Sequence, residues 1–130
     1  MKNKFLKYCS SNKFHHSEEQ IQTLDQLVTF YNQTTISKQK FFKFFTPTDK
    51  KLAFYLHGEV GTGKTMLLNF FFNNLHISKQ RSHFNEFMIK FHDFRHERKL
   101  QKKENSINIF VKKLKEKADL IYLDEFQVTN

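Results

Sequence analysis

Apolar side chains recur along this chain at two spacings, one typical of helices and one typical of strands. The first period predicts an amphipathic helix over about residues 18–32, whose apolar face is formed by Ile21, Leu24, Leu27, Val28 and Tyr31. Ser17 and Gln20 form the pattern of a capping box where this helix should begin. Residues 1–16 show no usable period, so we expect a loose basic tail there.

The remaining apolar runs predict strands that alternate with helices. Residues 52–56 form a short apolar run before a glycine, which predicts a buried strand, and residues 66–75 are apolar on nearly all sides, like a helix covered by a sheet. Strands are also expected over 81–84 and 118–125. Two helices should lie between them, with apolar positions at Phe87, Met88, Phe91 and Phe94, and at Ile107, Phe110, Val111 and Leu114. This alternation predicts an α/β fold with a mainly parallel sheet.

Two segments have more than one interpretation. Residues 39–51 contain four phenylalanines among lysines, followed by Pro47. They form either a short buried helix that ends before the proline or a surface on which nucleic-acid bases stack. The basic run over 95–103 is either a solvated surface or an insertion loop.

Composition narrows the class of protein. With 130 residues the chain has the size of one domain, and its 17 phenylalanines can supply a core although only 38% of residues are hydrophobic. The net charge of +9 fits a polyanionic partner such as nucleic acid. However, 19 of the 22 basic residues are lysines, which an AT-rich coding sequence would also produce.

Cysteine content and hydropathy indicate the compartment. Cys9 is the single cysteine, so an intramolecular disulfide and a cysteine zinc site are both excluded. No apolar run approaches the roughly 20 residues that span a bilayer, and we expect a cytoplasmic protein. A mitochondrial presequence is the alternative, because the first 17 residues carry four lysines and no acid.

The three glycines of the chain all lie within six residues, in "HGEVGTGKT". This stretch matches the phosphate-binding pattern G-x-x-x-x-G-K-[ST] at every fixed position. The predicted nucleotide-binding residues are Gly58, Glu59, Val60, Gly61, Thr62, Gly63, Lys64 and Thr65. Backbone amides would wrap a triphosphate, Lys64 would reach the β- and γ-phosphates, and the Thr65 hydroxyl would bind Mg²⁺. The alternative is a glycine turn that binds no ligand.

Asp124 and Glu125 follow the apolar run that predicts the last strand. An aspartate at a strand end beside the phosphate loop can bind Mg²⁺ through water, which is the Walker B role. The adjacent Glu125 can orient and deprotonate the attacking water, so we predict Glu125 and Lys64 as catalytic residues and Thr65 and Asp124 as metal ligands. Without the preceding glycine loop, the same pattern would indicate only a strand that meets solvent.

His92 and His96 have the i, i+4 spacing of a helical metal-binding pair, and His83 is nearby in sequence. No third ligand is evident and the H-E-x-x-H pattern is absent, which favours surface or core histidines.

Three stretches together resemble a known family. "FYLHGEVGTGKTMLLNFFF", "RSHFNEFMIKFH" and "LIYLDEFQVTN" are similar to the ZapE cell-division ATPases and their mitochondrial relatives of the AFG-one, or lactation-elevated, type. The resemblance covers about residues 50–130, and it implies an AAA+-like P-loop ATPase with a three-layer sandwich that hydrolyses ATP with magnesium. It also implies a homo-oligomer with a protein partner, either in cell division or in protein quality control. The expected organisation is a tail over 1–16, a helical segment over 17–50 and the ATPase part over 51–130.

The departures from that family concern three residues and the end of the chain. Glu59, Thr62 and Asn85 differ from the family wording, but none occupies a fixed position of the phosphate-binding pattern. Family members continue beyond "DEFQVT" into the central strand, the arginine finger and the helical lid. From this resemblance we expect a domain truncated after the Walker B strand, with weak turnover or none.

Three functions are therefore open at the level of sequence. The first is ATP hydrolysis by Lys64, Thr65, Asp124 and Glu125. The second is nucleotide binding without turnover, as in a remnant or one half of a split gene. The third is association with nucleic acid through the lysine- and phenylalanine-rich stretches, as in AAA+ helicase loaders.

Overall fold

The computed structural model describes residues 1–39, 53–59, 61–101 and 105–126. It contains five helices and two strands within these ranges, in the order α1 (Lys2–Ser11), α2 (Glu18–Gln39), α3 (Lys64–Asn73), β1 (Lys79–His83), α4 (Phe84–Leu100), α5 (Ser106–Lys117) and β2 (Leu120–Asp124). The chain divides into two compact units, Met1–Asn74 and Leu75–Asn130.

The first unit consists of α1, α2 and α3. Its buried apolar side chains come from all three helices and comprise Phe5, Cys9, Leu24, Leu27, Leu67, Phe70 and Phe71. Phe70 lies at the centre of this core, with its ring centroid 5.1 Å from that of Phe5 and 5.2 Å from that of Tyr8. Leu24 and Leu27 were both predicted from the helical period, and both are buried.

The prediction of a loose tail over residues 1–16 is wrong. Lys2–Ser11 form α1, and Phe5 and Cys9 are completely buried. These two side chains are four residues apart, so they share one face of the helix. This single i, i+4 spacing is too short to define a helical period. Four lysines within the first 13 residues also make the stretch look polar.

Helix α2 is longer than the apolar period indicates, because it continues to Gln39 rather than ending near residue 32. Its last seven residues are polar except for Ile36, and a single apolar residue defines no period. The Thr34 hydroxyl donates back to the carbonyls of Phe30, at 3.0 Å, and Tyr31, at 2.9 Å. The hydroxyl therefore bonds locally to the preceding turn of the helix.

The buried strand predicted over 52–56 is also not found. Residues 53–59 form no regular element, and Leu52 lies outside the described ranges. Phe54 and Leu56 are half-buried while Ala53 and Tyr55 are exposed, and the Phe54 ring packs against Phe30 at 5.8 Å. The alternation of burial is present, but a strand also requires hydrogen bonds to a neighbouring strand, and the apolar pattern does not report these.

The second unit is built around a parallel pair of strands. β1 and β2 pair from Lys79 with Leu120 to His83 with Asp124, and α4 and α5 form the crossover between them. Phe110 of α5 packs among three rings of α4, with centroid distances of 5.7 Å to Phe87, 5.1 Å to Phe91 and 5.4 Å to Phe94. Both predicted strands and both predicted helices of this region are present, with ends shifted by a few residues.

The structure agrees with the predicted α/β class and with a parallel sheet. The basic run is helical as far as Leu100, as the mostly exposed end of α4, so this part is a solvated surface and not an insertion loop. Residues 40–51 of the phenylalanine-rich segment lie outside the described ranges, so both interpretations of that segment stay predictions. The three-layer sandwich, the truncation and the division near residue 50 stay predictions. Within the described ranges, no helix has both the length and the apolar character needed to cross a membrane.

Candidate functional site

The glycine-rich loop lies directly before α3 and depends on backbone conformations that suit glycine. Gly61 has φ 84° and Gly63 has φ 76°, both in the left-handed region where other residues are strained. At Gly63 a Cβ atom would lie 2.2 Å from Nε2 of Gln20, so a side chain there would displace the Gln20 amide. The tight turn predicted from the sequence is therefore present. Val60 is outside the described residues.

Lys64 is the first residue of α3, and its side chain folds over the loop. Its Nζ donates hydrogen bonds to the carbonyl oxygens of Gly58, at 2.7 Å, and Glu59, and to the Thr62 hydroxyl at 3.2 Å. The Thr62 hydroxyl in turn donates to the Glu59 carbonyl at 3.0 Å. The loop thus curls around a single ammonium group, at the start of a helix.

The beginning of α3 has the properties of an anion-binding helix end. Gly63 is its N-cap, and no side chain caps the first turn. The first amides of a helix have no partner within the helix, and they carry the positive end of its dipole. Thr65 is the second residue of α3 and is exposed. An anion at this position would meet backbone N–H groups, the Lys64 ammonium and the Thr65 hydroxyl.

The loop borders a cavity of about 270 Å³. It is lined by Ser17, Glu19, Gln20 and Thr23 at the start of α2, and by Leu56, His57, Gly58, Glu59, Thr62, Lys64 and Leu67. The sequence locates the start of α2 through its capping box, but it does not place that helix end beside the glycine loop. The contribution of α2 to the cavity therefore could not be predicted from the sequence.

A larger groove of about 460 Å³ lies between α1 and α3, lined by Lys4, Lys7, Tyr8 and several asparagines. It contains no glycine turn, and its two lysines come from α1 rather than from a loop that could wrap a phosphate. The smaller cavity beside the loop is therefore the candidate nucleotide site.

In the second unit, Asp124 is the last residue of β2 and is held by hydrogen bonds on both carboxylate oxygens. Arg81 Nη2 lies 2.5 Å from Oδ2, while the Tyr122 hydroxyl, at 3.4 Å, and the Glu125 N–H, at 3.1 Å, donate to Oδ1. The hydrogen bond from Arg81 is the main cause that lowers the pKa of Asp124 below its ordinary value. Asp124 is therefore ionised at neutral pH, as a metal ligand must be.

Arg81 and Tyr122 were not foreseen as parts of this cluster. The parallel register places Arg81 opposite Tyr122, with the guanidinium carbon 5.0 Å from the centre of the tyrosine ring. Burial is the main cause that raises the pKa of Tyr122 to about 12. Only the register of the two strands brings these side chains together, and no sequence motif encodes that register.

Glu125 has a different environment from its neighbour. Its φ of 53° marks a turn directly after the strand, and its side chain is 72% exposed. Nδ1 of His83 lies 3.9 Å from its Oε2. Asp124 is thus held in place by its neighbours, whereas Glu125 is accessible to solvent. This difference suits a metal ligand at position 124 and a general base at position 125. The described residues contain no group of three or more His, Cys, Asp and Glu side chains that could hold a metal without other ligands.

The structure therefore brings the predicted residues together in two clusters. The loop residues and Lys64 form one cluster in the first unit, and Asp124 and Glu125 belong to the other in the second unit.

Comparison with known proteins adds a family-level result. A sequence model described as AFG1-like ATPase matches residues 2–130. Lactation elevated protein 1 homolog B from Danio rerio is 37% identical over 88 residues, which cover 60% of this chain and 18% of that protein. The cell division protein ZapE from Escherichia coli K12 is 35% identical over 77 residues, or 58% of this chain and 20% of that protein. The chain thus spans about a fifth of the length of these relatives, and no solved structure matches it.

Proposed function

Because the chain belongs to the AFG1-like ATPase family, we propose that its glycine loop binds the phosphates of ATP and that its carboxylates support hydrolysis to ADP and phosphate. The observation that carries the proposal is the position of Lys64. Its ammonium lies against three oxygen atoms of a left-handed glycine turn, at the uncapped start of α3. The ammonium thus lies within the loop, where phosphate oxygens would replace the loop oxygens as its hydrogen-bond acceptors.

The loop residues from Gly58 to Thr65 supply the binding energy in this proposal. Backbone N–H groups at the start of α3 contact phosphate oxygens, and Lys64 neutralises the charge on the β- and γ-phosphates. The Thr65 hydroxyl would hold Mg²⁺ directly, and the Asp124 carboxylate would hold it through water. Magnesium, when bound, neutralises the negative charge that develops on the transferred phosphoryl group.

Glu125 is the general base of the proposed reaction. Its carboxylate is exposed at the strand end, whereas the neighbouring Asp124 is held by Arg81. Glu125 accepts a proton from the attacking water and orients that water for attack. Binding therefore depends on Lys64 and turnover on Glu125, so the two parts of the proposal can be tested separately.

Binding is tested by thermal unfolding of the purified chain with and without magnesium ATP. Ligand at about 100 times its dissociation constant should add roughly 2.7 kcal/mol to the free energy of unfolding. Lys64→Ala should lose this increment, because the ammonium no longer neutralises the phosphates. Lys90→Ala removes the same charge from an exposed position of α4 and should keep it. If the unsubstituted chain melts at the same temperature with and without the nucleotide, the binding proposal fails.

Turnover is tested by phosphate release under the same conditions. Glu125→Gln should retain the nucleotide-dependent stabilisation and lose phosphate release by about 100-fold, the usual contribution of a general base. Glu116→Gln, which alters an exposed carboxylate of α5, should release phosphate at the unsubstituted rate. Stabilisation by ATP without any phosphate release would contradict hydrolysis and would support a module that only binds nucleotide.

We also propose a cytoplasmic ATPase that acts on a protein partner, as part of a homo-oligomer. Support comes from the family and from the words "cell division" in the name of the Escherichia coli relative. A partner in the division machinery is the first candidate, and a protein quality-control substrate is the second. Depletion of the chain in its own cells, followed by measurement of cell length, distinguishes them, since only the first predicts elongated cells.

A further inference from the structure

Gln20 connects the start of α2 with the glycine loop. Its Oε1 accepts a hydrogen bond from the Ser17 N–H at 3.0 Å, and its own N–H donates to Ser17 Oγ at 3.2 Å. These two bonds complete the capping box that the sequence predicts. The capping box leaves the side-chain NH₂ group of Gln20 available for another acceptor.

That NH₂ group donates to the Thr62 carbonyl oxygen at 3.3 Å, across 42 positions of sequence. The orientation of the amide follows from its two partners. Ser17 offers an N–H, which needs the oxygen of the side chain, and Thr62 offers a carbonyl, which needs the nitrogen. Only one orientation of the Gln20 amide satisfies both.

Gln20 also lies against Gly63. A Cβ atom on Gly63 would lie 2.2 Å from Gln20 Nε2, so the amide occupies the space where that side chain would stand. Gly63 is the N-cap of α3 and immediately precedes Lys64. The Gln20 amide therefore contacts the loop just before Gly63 and Lys64, the two residues that set the direction of the first amides of α3.

We propose that Gln20 is a positioning residue of the phosphate-binding loop. By holding the Thr62 carbonyl, it fixes the peptide that leads into Gly63 and Lys64, and so keeps the N–H groups of this turn pointed at the site of the phosphates. Helix α2 thereby determines how well the loop binds nucleotide. The part of this inference that concerns affinity rests on the proposed function.

Substitution of Gln20 by glutamate can separate its contact with the loop from its part in the capping box of α2. Glutamate at the same position of a capping box accepts the Ser17 N–H equally well. A carboxylate cannot donate to the Thr62 carbonyl, and it would repel that oxygen. Gln20→Glu therefore keeps the cap of α2 and removes the contact with the loop. It also adds a negative charge beside the cavity, so hydrogen exchange without nucleotide is the measurement that isolates the lost contact.

The experiment compares Gln20→Glu with two other variants of the full chain. Gln20→Met removes both the cap and the contact, whereas Gln22→Glu adds the same negative charge at an exposed position of α2 that does not line the cavity. The measurements are the thermal midpoint, amide hydrogen exchange over residues 61–65 without nucleotide, and the dissociation constant for magnesium ATP.

For Gln20→Glu we expect a midpoint within roughly 2 °C of the unsubstituted chain, because the cap remains. Exchange over residues 61–65 should become about tenfold faster, and the dissociation constant should rise by about tenfold, as for the loss of one hydrogen bond. Gln20→Met should show both of these changes together with a lower midpoint. Gln22→Glu should match the unsubstituted chain in all three measurements.

Two negative results have different meanings. If the unsubstituted chain binds magnesium ATP and Gln20→Glu has unchanged exchange and an unchanged dissociation constant, Gln20 is only a capping residue and this inference is wrong. If the unsubstituted chain does not bind magnesium ATP, the proposed function fails, and the inferred effect on affinity fails with it.

Discussion

The carboxylate of Asp124 shows how a single residue acquires its properties from its neighbours. The sequence identifies it as a candidate metal ligand through its place after an apolar run. The bond from Arg81 Nη2, which lowers its pKa, is visible only once β1 and β2 are paired. The sequence therefore predicted Asp124 as a candidate ligand, but it did not predict Arg81 as the partner of Asp124.

The lowered pKa of Asp124 predicts a pH dependence of stability. Because the folded-state pKa lies below the ordinary aspartate value of about 3.9, this contribution is complete above that value and is lost as the pH falls through the folded-state pKa. Asp124→Asn should therefore destabilise the chain at pH 6, by roughly 0.5–1 kcal/mol because Arg81 is partly exposed and solvent screens the pair. The difference should shrink towards pH 2.5. Thermal unfolding without nucleotide measures it.

Asp93→Asn is the control for this experiment, since it removes a carboxylate from an exposed position of α4. It accounts for the general effect of one fewer negative charge on a basic protein. A difference between Asp124→Asn and the unsubstituted chain that is the same at pH 6 and pH 2.5 would contradict a stabilising Arg81–Asp124 pair.

At the level of elements, α1 is the helix that was not predicted from the sequence. Its two buried side chains, Phe5 and Cys9, contribute to the core of the first unit, and burial raises the pKa of the Cys9 thiol. A thiol that is both buried and protonated reacts slowly with disulfide reagents. The reactivity of Cys9 therefore reports whether α1 is docked.

Phe5→Ala should undock α1. The substitution removes the ring that packs against Phe70 and leaves a cavity, a change that costs about 3–5 kcal/mol in protein cores. We expect slow labelling of Cys9 in the unsubstituted chain and labelling at least tenfold faster in Phe5→Ala. Lys2→Ala changes an exposed residue of the same helix and should leave the rate unchanged. Fast labelling of the unsubstituted chain would instead support the loose tail expected from the sequence.

At the level of the whole molecule, the net charge of +9 is a property of composition that no described fold feature explains. Lysine accounts for 19 of the 22 basic residues, and lysine contacts to phosphates are strongly weakened by salt. We expect the chain to retain single-stranded DNA at about 20 mM salt and to release it completely by about 200 mM. A fluorescence anisotropy titration at several salt concentrations measures this.

The control for that titration is the same measurement with magnesium ATP present, which occupies the proposed phosphate site. DNA binding that persists above 200 mM salt would favour the nucleic-acid function, in which the segment predicted over 39–51 would stack bases. A complete absence of binding at 20 mM would remove that function.

Much of the second unit could be predicted because its signals are local. The apolar positions of α4 and α5 repeat with the helical period, and β2 is a short apolar run that ends in a carboxylate. A parallel pair also needs a long crossover, which these helices supply. The segment over 53–56 shows the limit of this reasoning. Its burial alternates as expected of a strand, yet pairing depends on a partner elsewhere in the chain.

By itself, the sequence determined the glycine turn, the lysine within it and the two carboxylates at a strand end, because each of these depends on residue type and short spacing. The tertiary structure decided that α1 packs through Phe5, that Arg81 holds Asp124 and that Gln20 contacts the glycine loop. These contacts join residues that are more than 40 positions apart in sequence, so no local pattern encodes them, and only the packing of helices and the register of strands brings them within bonding distance.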